Sequence, residues 1–164
     1  MKDNPISPLN KEQFHVAMRL YPYVFWADLL RIQFETAFTH DRQTLLLQTE
    51  ENIFETELLE SEMYICLWFG VLYTAIEGWP TLKIKESQIE ELLGSPFKNL
   101  LRNFRNATSD SDEFDGNRIQ ALVTTGWEPI DWARKVTLEY KSFFESILGS
   151  PRGEIRNDNL GFQS

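Results

Sequence analysis

The sequence predicts an all-α protein, a single-domain helical bundle of about five to seven helices. Its length of 164 residues fits one domain. Apolar residues make up 42% of the chain and aromatic residues 13%, which excludes a disordered chain. Apolar residues also recur at helical spacing in most segments, and no segment alternates with the two-residue period of a strand.

The predicted domain ends where the helical pattern ends. Residues 1–9 show no periodicity and are expected to form a flexible N-terminus, residues 10–148 form the helical domain, and residues 149–164 form a flexible tail. The first residues lack the apolar stretch of a signal peptide, so we expect a cytoplasmic protein.

Three helices are predicted in the N-terminal half. The first, over 10–20, is capped by its initial asparagine and interrupted at Pro22, because proline breaks the helical hydrogen-bond pattern. The second covers 23–38 and stops at a break over 40–42. The third, over 58–77, is apolar nearly all round, which is typical of the central helix of a bundle. Its longest apolar run has 14 residues, fewer than the roughly 18 that a membrane span needs, so no membrane partner is expected.

The C-terminal half is predicted to contain four helical segments. A short helix over 87–93 ends at Gly94, for which we expect a left-handed conformation. Ser95-Pro96 then supplies an N-cap and a first-position proline for the next helix. A further helical piece covers 118–124, and a long last helix covers 128–148.

The charge is distributed unevenly along the chain. With 16 basic and 25 acidic residues the net charge is −9, which makes the protein a poor general nucleic-acid binder, since that affinity comes mainly from Lys and Arg. Residues 95–109 nevertheless hold Lys98, Arg102 and Arg105 and no acid, and an acidic loop over 110–115 follows them. These three cations are the candidate anion-binding or partner-binding residues.

We predict no metal site and no cofactor. The single cysteine, Cys66, excludes a multi-cysteine zinc site and is expected to be a buried small hydrophobe. His15 and His40 have no second ligand at a useful spacing. The loop that starts at Asp110 does not match a calcium-binding loop, because its sixth position is Asp115 where glycine is needed.

Two Arg-Asn pairs, Arg102-Asn103 and Arg105-Asn106, lie three residues apart and so place both arginines near one side of a helix. Guanidinium groups suit phosphate through their planar donor fork. The segment 105–110, RNATSD, resembles the R-N-x-x-x-H signature of HEPN domains, small helical bundles widespread in prokaryotic defence and toxin–antitoxin systems. The order of helices over roughly residues 20–148 is similar too.

The resemblance implies the following about active members of that family. They contain a metal-independent RNA-cleaving centre, which is usually formed jointly by the two chains of a homodimer that packs near the motif. Arg105 matches the arginine and Asn106 the polar position, whereas Asp110 stands where the histidine is expected. A histidine can accept and donate a proton near neutral pH, but an exposed aspartate is normally ionised and repels phosphate.

Three hypotheses follow from these residues. The first is a non-cleaving HEPN-like binding or regulatory protein that is not an enzyme. Its partner would be its own copy, a protein encoded by a neighbouring gene, or weakly bound RNA or nucleotide. The second is an active ribonuclease in which Asp110 or another residue replaces the histidine. The third is an unrelated helical interaction protein whose arginines are solvated or pair with the acidic loop. Under the first hypothesis, Asp110 is expected to pair with Arg105 and so to neutralise the charge that would otherwise meet an RNA phosphate.

Overall fold

A computed structural model describes residues 9–47, 60–109 and 126–149 of the chain. These residues form five α-helices and one short 3-10 segment, with no strand among them, which confirms the predicted all-α bundle. The helices are α1 (Lys11–Leu47), α2 (Glu60–Gly78), α3 (Ser87–Leu93), α4 (Phe97–Ser109) and α5 (Glu128–Leu148), and the 3-10 segment is Trp79–Leu82. None of the helices in these ranges is long and apolar enough to cross a membrane.

The first helix is longer than the sequence predicts. α1 continues through Pro22 and through residues 40–42, where we expected breaks, so both predictions were wrong. A proline inside a helix costs about 3 kcal/mol because it removes one hydrogen bond and crowds the preceding turn. Leu20 and Val24, on either side of Pro22, are both buried in the core. Burial of the flanking turns therefore outweighs the local cost.

The helix ends were predicted more accurately than the interior breaks. The bounds of α3 and α5 agree with the predicted 87–93 and 128–148, while the predicted piece over 118–124 lies outside the described residues. Asn10 caps α1, since its Oδ1 accepts the backbone N–H of Gln13 at 2.9 Å, and the Gln13 side chain accepts the Asn10 N–H in return.

The junction between α3 and α4 combines one correct and one wrong prediction. Ser95 caps α4 as expected, because its Oγ accepts the N–H of Phe97 at 3.3 Å. Gly94 is right-handed, with φ of −69°, and not left-handed as predicted. Its N–H donates to carbonyl oxygens in the last turn of α3, so the chain ends that helix without a left-handed residue.

α1 and α2 form an antiparallel pair, which is the most extensive helix contact in the described part of the chain. At one end, the Ser61 N–H donates to Oδ2 of Asp41 at 3.0 Å. At the other end, Leu20 occupies the space that a side chain at Gly78 would need. The absence of a Cβ at position 78 thus lets Leu20 lie directly against the end of α2.

An aromatic core connects α2 to the helices around it. The fully buried Trp68 ring lies 5.8 Å from Phe34 of α1 and 5.3 Å from Phe69, which in turn meets Phe104 of α4 edge to face at 5.3 Å. The indole Nε1–H of Trp68 donates to Oγ1 of Thr137 on α5 at 3.0 Å. The polar atom of this buried ring is therefore paired, as burial requires.

A second aromatic cluster fixes α5 against the 3-10 segment. Trp79 stacks on Tyr140 with ring centroids 5.1 Å apart, and Phe143 packs edge to face on the same indole at 5.0 Å. The Trp132 indole N–H donates to the Leu92 carbonyl at 2.8 Å and so connects α5 to α3. Among the described residues, the Tyr140 hydroxyl is buried without a hydrogen-bond partner.

Charged side chains connect α1 to α5 at the edge of the core. The buried Asp28 accepts hydrogen bonds from Lys141 Nζ at 2.6 Å and from Arg31 Nη2 at 2.7 Å. Glu35 accepts from Arg134 Nε at 2.7 Å and from Arg31 Nη1 at 2.8 Å. Burial raises the pKa of Asp28, but the hydrogen bonds and charges of Lys141 and Arg31 outweigh it and leave that pKa below its ordinary value of 3.8.

Asp28→Asn should destabilise the protein by about 3 kcal/mol at pH 7, because two cations lose a buried counter-charge. A carboxylate whose pKa is lowered by folding stabilises above its unfolded-state pKa and loses that effect as the pH falls through its folded-state pKa. The difference in unfolding free energy between wild type and Asp28→Asn should therefore have its full size above about pH 4 and become smaller below that pH.

Urea unfolding at pH 7 and pH 3 measures this difference. Asp131→Asn is the matched control, since Asp131 pairs with Arg134 at the surface and should cost only about 0–1 kcal/mol. If the difference in unfolding free energy between wild type and Asp28→Asn is the same at both pH values, the result would contradict the lowered pKa of Asp28.

Tyr140→Phe should leave the free energy of unfolding unchanged or raise it by up to about 1 kcal/mol, because it removes a buried hydroxyl that has no partner. Tyr140→Ala should instead cost about 3–5 kcal/mol, since the ring fills the core beside Trp79. Denaturant unfolding of both variants tests the pair. A loss above about 1 kcal/mol in Tyr140→Phe would mean that the hydroxyl is hydrogen-bonded in solution.

Candidate anion-binding surface on α4

α4 presents its cations because its apolar face is buried against α2. Leu101 and Phe104 are both fully buried on that face, as the spacing predicts. Arg102 is exposed, and Lys98 and Arg105 are half-buried. The positions 98, 102 and 105 are four and three residues apart, so the three cations follow one side of α4 over about 10 Å. The structure thus brings the three predicted cations together.

Arg105 is held by two residues of α2. Its Nη1 donates to Oε2 of Glu77, and its guanidinium carbon lies 5.2 Å from the centre of the Tyr73 ring. Glu77 and Tyr73 are four residues apart, which places them one above the other on the same helix face. The arginine of the motif is therefore paired with a carboxylate and stacked on an aromatic ring, and the guanidinium side chain retains 39% exposure.

The Tyr73 hydroxyl belongs to the same electrostatic cluster. Burial raises the pKa of Tyr73 and the charge and hydrogen bond of Glu77 raise it further, while Arg102 and Arg105 partly oppose the rise. The net result is a phenol whose pKa lies above its ordinary value of 10.0, so Tyr73 is neutral at physiological pH. Tyr73 is itself buried, so it contributes an aromatic face beneath Arg105 and not a negative charge.

The spacing of residues in the sequence does not predict that Glu77 and Tyr73 contact Arg105. They lie 28 and 32 residues before Arg105, so no local spacing relates them to the motif. The available signal was their position at the end of the predicted central helix. Of the remaining motif residues, Asn106 has its backbone in α4 but its side chain is outside the described residues, as is all of Asp110. The expected pair between Asp110 and Arg105 stays a prediction.

His40 does not supply a substitute for the motif histidine within the same chain. Its neighbour Asp41 contacts Ser61 at the start of α2, whereas Arg105 contacts Glu77 near the end of that helix. The 16 residues between Ser61 and Glu77 correspond to about 24 Å of helix. His40 is instead exposed, with Nδ1 3.9 Å from Oδ1 of Asp41.

The remaining reactive groups of the described chain are a thiol and the side chains that could bind a metal ion. Cys66 is buried, as predicted, and burial together with the charge of Glu62 raises its pKa to about 11, so the thiol is protonated at neutral pH. Within the described ranges, no three His, Cys, Asp or Glu side chains come together to hold a metal ion.

Comparison of the chain with protein-family models, with curated proteins and with solved structures gave no significant match. The resemblance to HEPN domains therefore rests on the motif and on the order of the helices.

Glu77→Gln should strengthen the binding of single-stranded RNA about three- to tenfold at low salt, because it releases Arg105 from a competing carboxylate. Fluorescence anisotropy of a labelled oligonucleotide at 50 and 200 mM salt measures the gain, which should decrease as salt rises. The double variant Glu77→Gln/Arg105→Ala should lose it.

Glu91→Gln is the matched control, since this exposed acid of α3 gives the same change in net charge away from Arg105. Equal gains in Glu77→Gln and Glu91→Gln would show that net charge alone sets RNA affinity, and would contradict a specific role of the Glu77 pair.

Proposed function

We propose that the chain is a non-cleaving HEPN-like binding or regulatory protein, acting in the cytoplasm as part of a prokaryotic defence or toxin–antitoxin module. The observation that carries this proposal is the pairing of Arg105 with Glu77 over the Tyr73 ring. A catalytic arginine stabilises the negative charge that develops on a phosphate, and that role requires its positive charge to be available. Here a carboxylate of the same chain already takes up that charge.

Cleavage also depends on proton transfer. Cleavage of RNA by attack of a 2′-hydroxyl needs a group that accepts a proton and a group that donates one. The position of the family histidine holds Asp110, which carries a negative charge at neutral pH when it is exposed. The carboxylates of Glu77 and Asp110 would then repel a substrate phosphate. In active members, the same phosphate meets a cation and an imidazole.

The accessible cations of α4 determine what this surface binds. Arg102 is exposed and Lys98 is half-buried, so α4 still offers cations to an anionic group of a partner. The net charge of −9 works against long nucleic acids, and we therefore propose weak, salt-sensitive RNA binding at most. A protein partner encoded by a neighbouring gene, with an acidic patch of limited size, fits this surface better than a nucleic acid.

The wild-type protein should not cleave RNA in EDTA at neutral pH, because its motif arginine is paired and its histidine is replaced. The double variant Asp110→His/Glu77→Gln restores the family's residue types and removes the Glu77 carboxylate from Arg105, so it should cleave. A labelled oligonucleotide resolved on a denaturing gel measures both. Asp110→His/Glu91→Gln is the matched control and should cleave less than the first double variant.

Two results would overturn the proposal. Cleavage by the wild type that is lost in Arg105→Ala would show an active ribonuclease in which another residue replaces the histidine. A folded double variant, confirmed by circular dichroism, that binds RNA but does not cleave it would favour an unrelated helical interaction protein.

A further inference from the structure

The carboxylate of Glu77 is bound between donors in the way that a ligand anion would be. It accepts a hydrogen bond from Nη1 of Arg105 on α4, and another from the hydroxyl of Tyr73, which lies one turn earlier on α2. Arg102 lies close enough for its positive charge to act on the same hydroxyl. An anion therefore already lies between two donors and near a second guanidinium group, and this anion belongs to the protein itself.

The stability of α2 does not account for an acid at this position. Glu77 lies in the last turn of α2, which ends at Gly78 and carries no basic residue in that turn. A negative charge at the C-terminal end of a helix opposes the helix dipole and so lowers helix stability. The contacts with Arg105 and Tyr73 offset this local cost. The donors around Glu77, and not the dipole of its own helix, therefore hold the carboxylate in place.

The pair of Glu77 and Arg105 is open to solutes. The Glu77 side chain is 42% exposed and the Arg105 side chain is 39% exposed. A glutamate side chain has several rotatable bonds, so the carboxylate can turn into water without movement of the α2 backbone. The buried Tyr73 ring supports the guanidinium group from below and keeps it in position when the carboxylate leaves. The donors then remain assembled for another anion.

The charge of an incoming anion decides whether it can replace Glu77. A tethered carboxylate has a high effective concentration at its donors, so a free carboxylate or a phosphodiester, each with a single negative charge, competes poorly. A phosphomonoester carries a charge of about −1.5 to −2 at pH 7 and offers three acceptor oxygens. At the same distance from the cations of α4, a dianion gains about twice the Coulomb energy of a monoanion. Displacement of Glu77 therefore favours a phosphomonoester.

The charge of the whole protein limits the size of the ligand. Lys98, Arg102 and Arg105 follow one side of α4 over about 10 Å, whereas the chain carries a net charge of −9. A long polyanion extends beyond these three cations and is repelled by the rest of the protein, but a single phosphate group on a small molecule is not. The surface thus suits a small phosphomonoester better than RNA.

We propose that a small phosphomonoester binds at this surface, with its dianionic phosphate displacing the Glu77 carboxylate and accepting hydrogen bonds from Tyr73 and Arg105. Arg102 and Lys98 supply the additional positive charge that a dianion requires. Glu77 sets the specificity of the site, because it excludes monoanions and yields to a dianion. This inference rests on the proposed function, since it assigns a ligand to a surface that binds without cleaving RNA.

NMR titration of the ¹⁵N-labelled wild type at pH 7.5 and constant ionic strength tests the site. Methyl phosphate serves as the dianion, and dimethyl phosphate and acetate serve as monoanions. Methyl phosphate should shift the backbone amide signals of α4 and the Nε–H signals of Arg102 and Arg105. Its affinity should exceed that of either monoanion about tenfold or more, because of its second charge and third acceptor oxygen.

Glu77→Gln should strengthen the binding of methyl phosphate about three- to tenfold, because it removes the competing charge and keeps the size of the side chain. Glu91→Gln is the matched control, since this exposed acid of α3 changes the net charge equally, and the affinity should change less than about twofold. In the Glu77→Gln background, Tyr73→Phe keeps the buried ring but removes one donor, and should weaken binding about three- to tenfold.

Two versions of one short RNA distinguish a small ligand from the end of a nucleic acid. The 5′-phosphorylated form should bind more tightly than the 5′-hydroxyl form but no more tightly than methyl phosphate, because the remaining nucleotides meet a protein of net charge −9. A 5′-phosphorylated RNA that binds more than about tenfold more tightly than methyl phosphate would overturn the proposal of a small ligand and place an RNA end at the site.

Three further results would overturn the proposal. One is the absence of any shift in the α4 signals at 50 mM methyl phosphate. Another is equal affinity for methyl phosphate and dimethyl phosphate, and the third is an equal gain in Glu77→Gln and Glu91→Gln. None of these measurements involves cleavage. Ribonuclease activity of the wild type would contradict the proposed function without changing the phosphate affinities, so the two failures are distinguishable.

Discussion

The burial of α2 is the constraint on which the rest of the structure depends. This helix is apolar around most of its circumference, so it is stable only when other helices cover it. Trp68 at its centre contacts Phe34 of α1 directly and donates to Thr137 of α5, and the adjacent Phe69 meets Phe104 of α4. One buried helix thereby fixes the positions of three others through two aromatic residues and one hydrogen bond.

The same helix determines the chemistry of the candidate surface. The C-terminal half of α2 carries Tyr73 and Glu77, and both meet Arg105 because α4 packs on this part of α2. A carboxylate and an aromatic ring together satisfy a guanidinium group well, but they also reduce its attraction for phosphate. This geometry supports the proposed binding role of Arg105, and it leaves Arg102 as the more accessible cation.

The helix α1 differs from α2 because it carries apolar residues on both its inner and its outer face. Its inner face completes the cover of α2, and the ion pairs of Asp28 and Glu35 fix it to α5 at the edge of the core. The outer face has no comparable partner among the described residues.

The sequence by itself determined the features that depend on local pattern. The all-α class, the bounds of α3 and α5, the caps at Asn10 and Ser95 and the buried face of α4 all follow from residues within a few turns of one another. Helical periodicity and capping are local properties, so a single sequence carries them. The exposure of Arg102 follows in the same way from the apolar residues around it.

Only the tertiary structure decided where local rules are overruled and which distant residues meet. Pro22 and residues 40–42 carry local signals for breaks, yet burial of the neighbouring turns against α2 and α5 keeps α1 continuous. The contact of Glu77 with Arg105 joins residues 28 positions apart, and it exists because α4 docks on the end of α2. Periodicity gives the face that each helix buries but not the partner that covers it, since packing energy depends on pairs of surfaces that are remote in the chain.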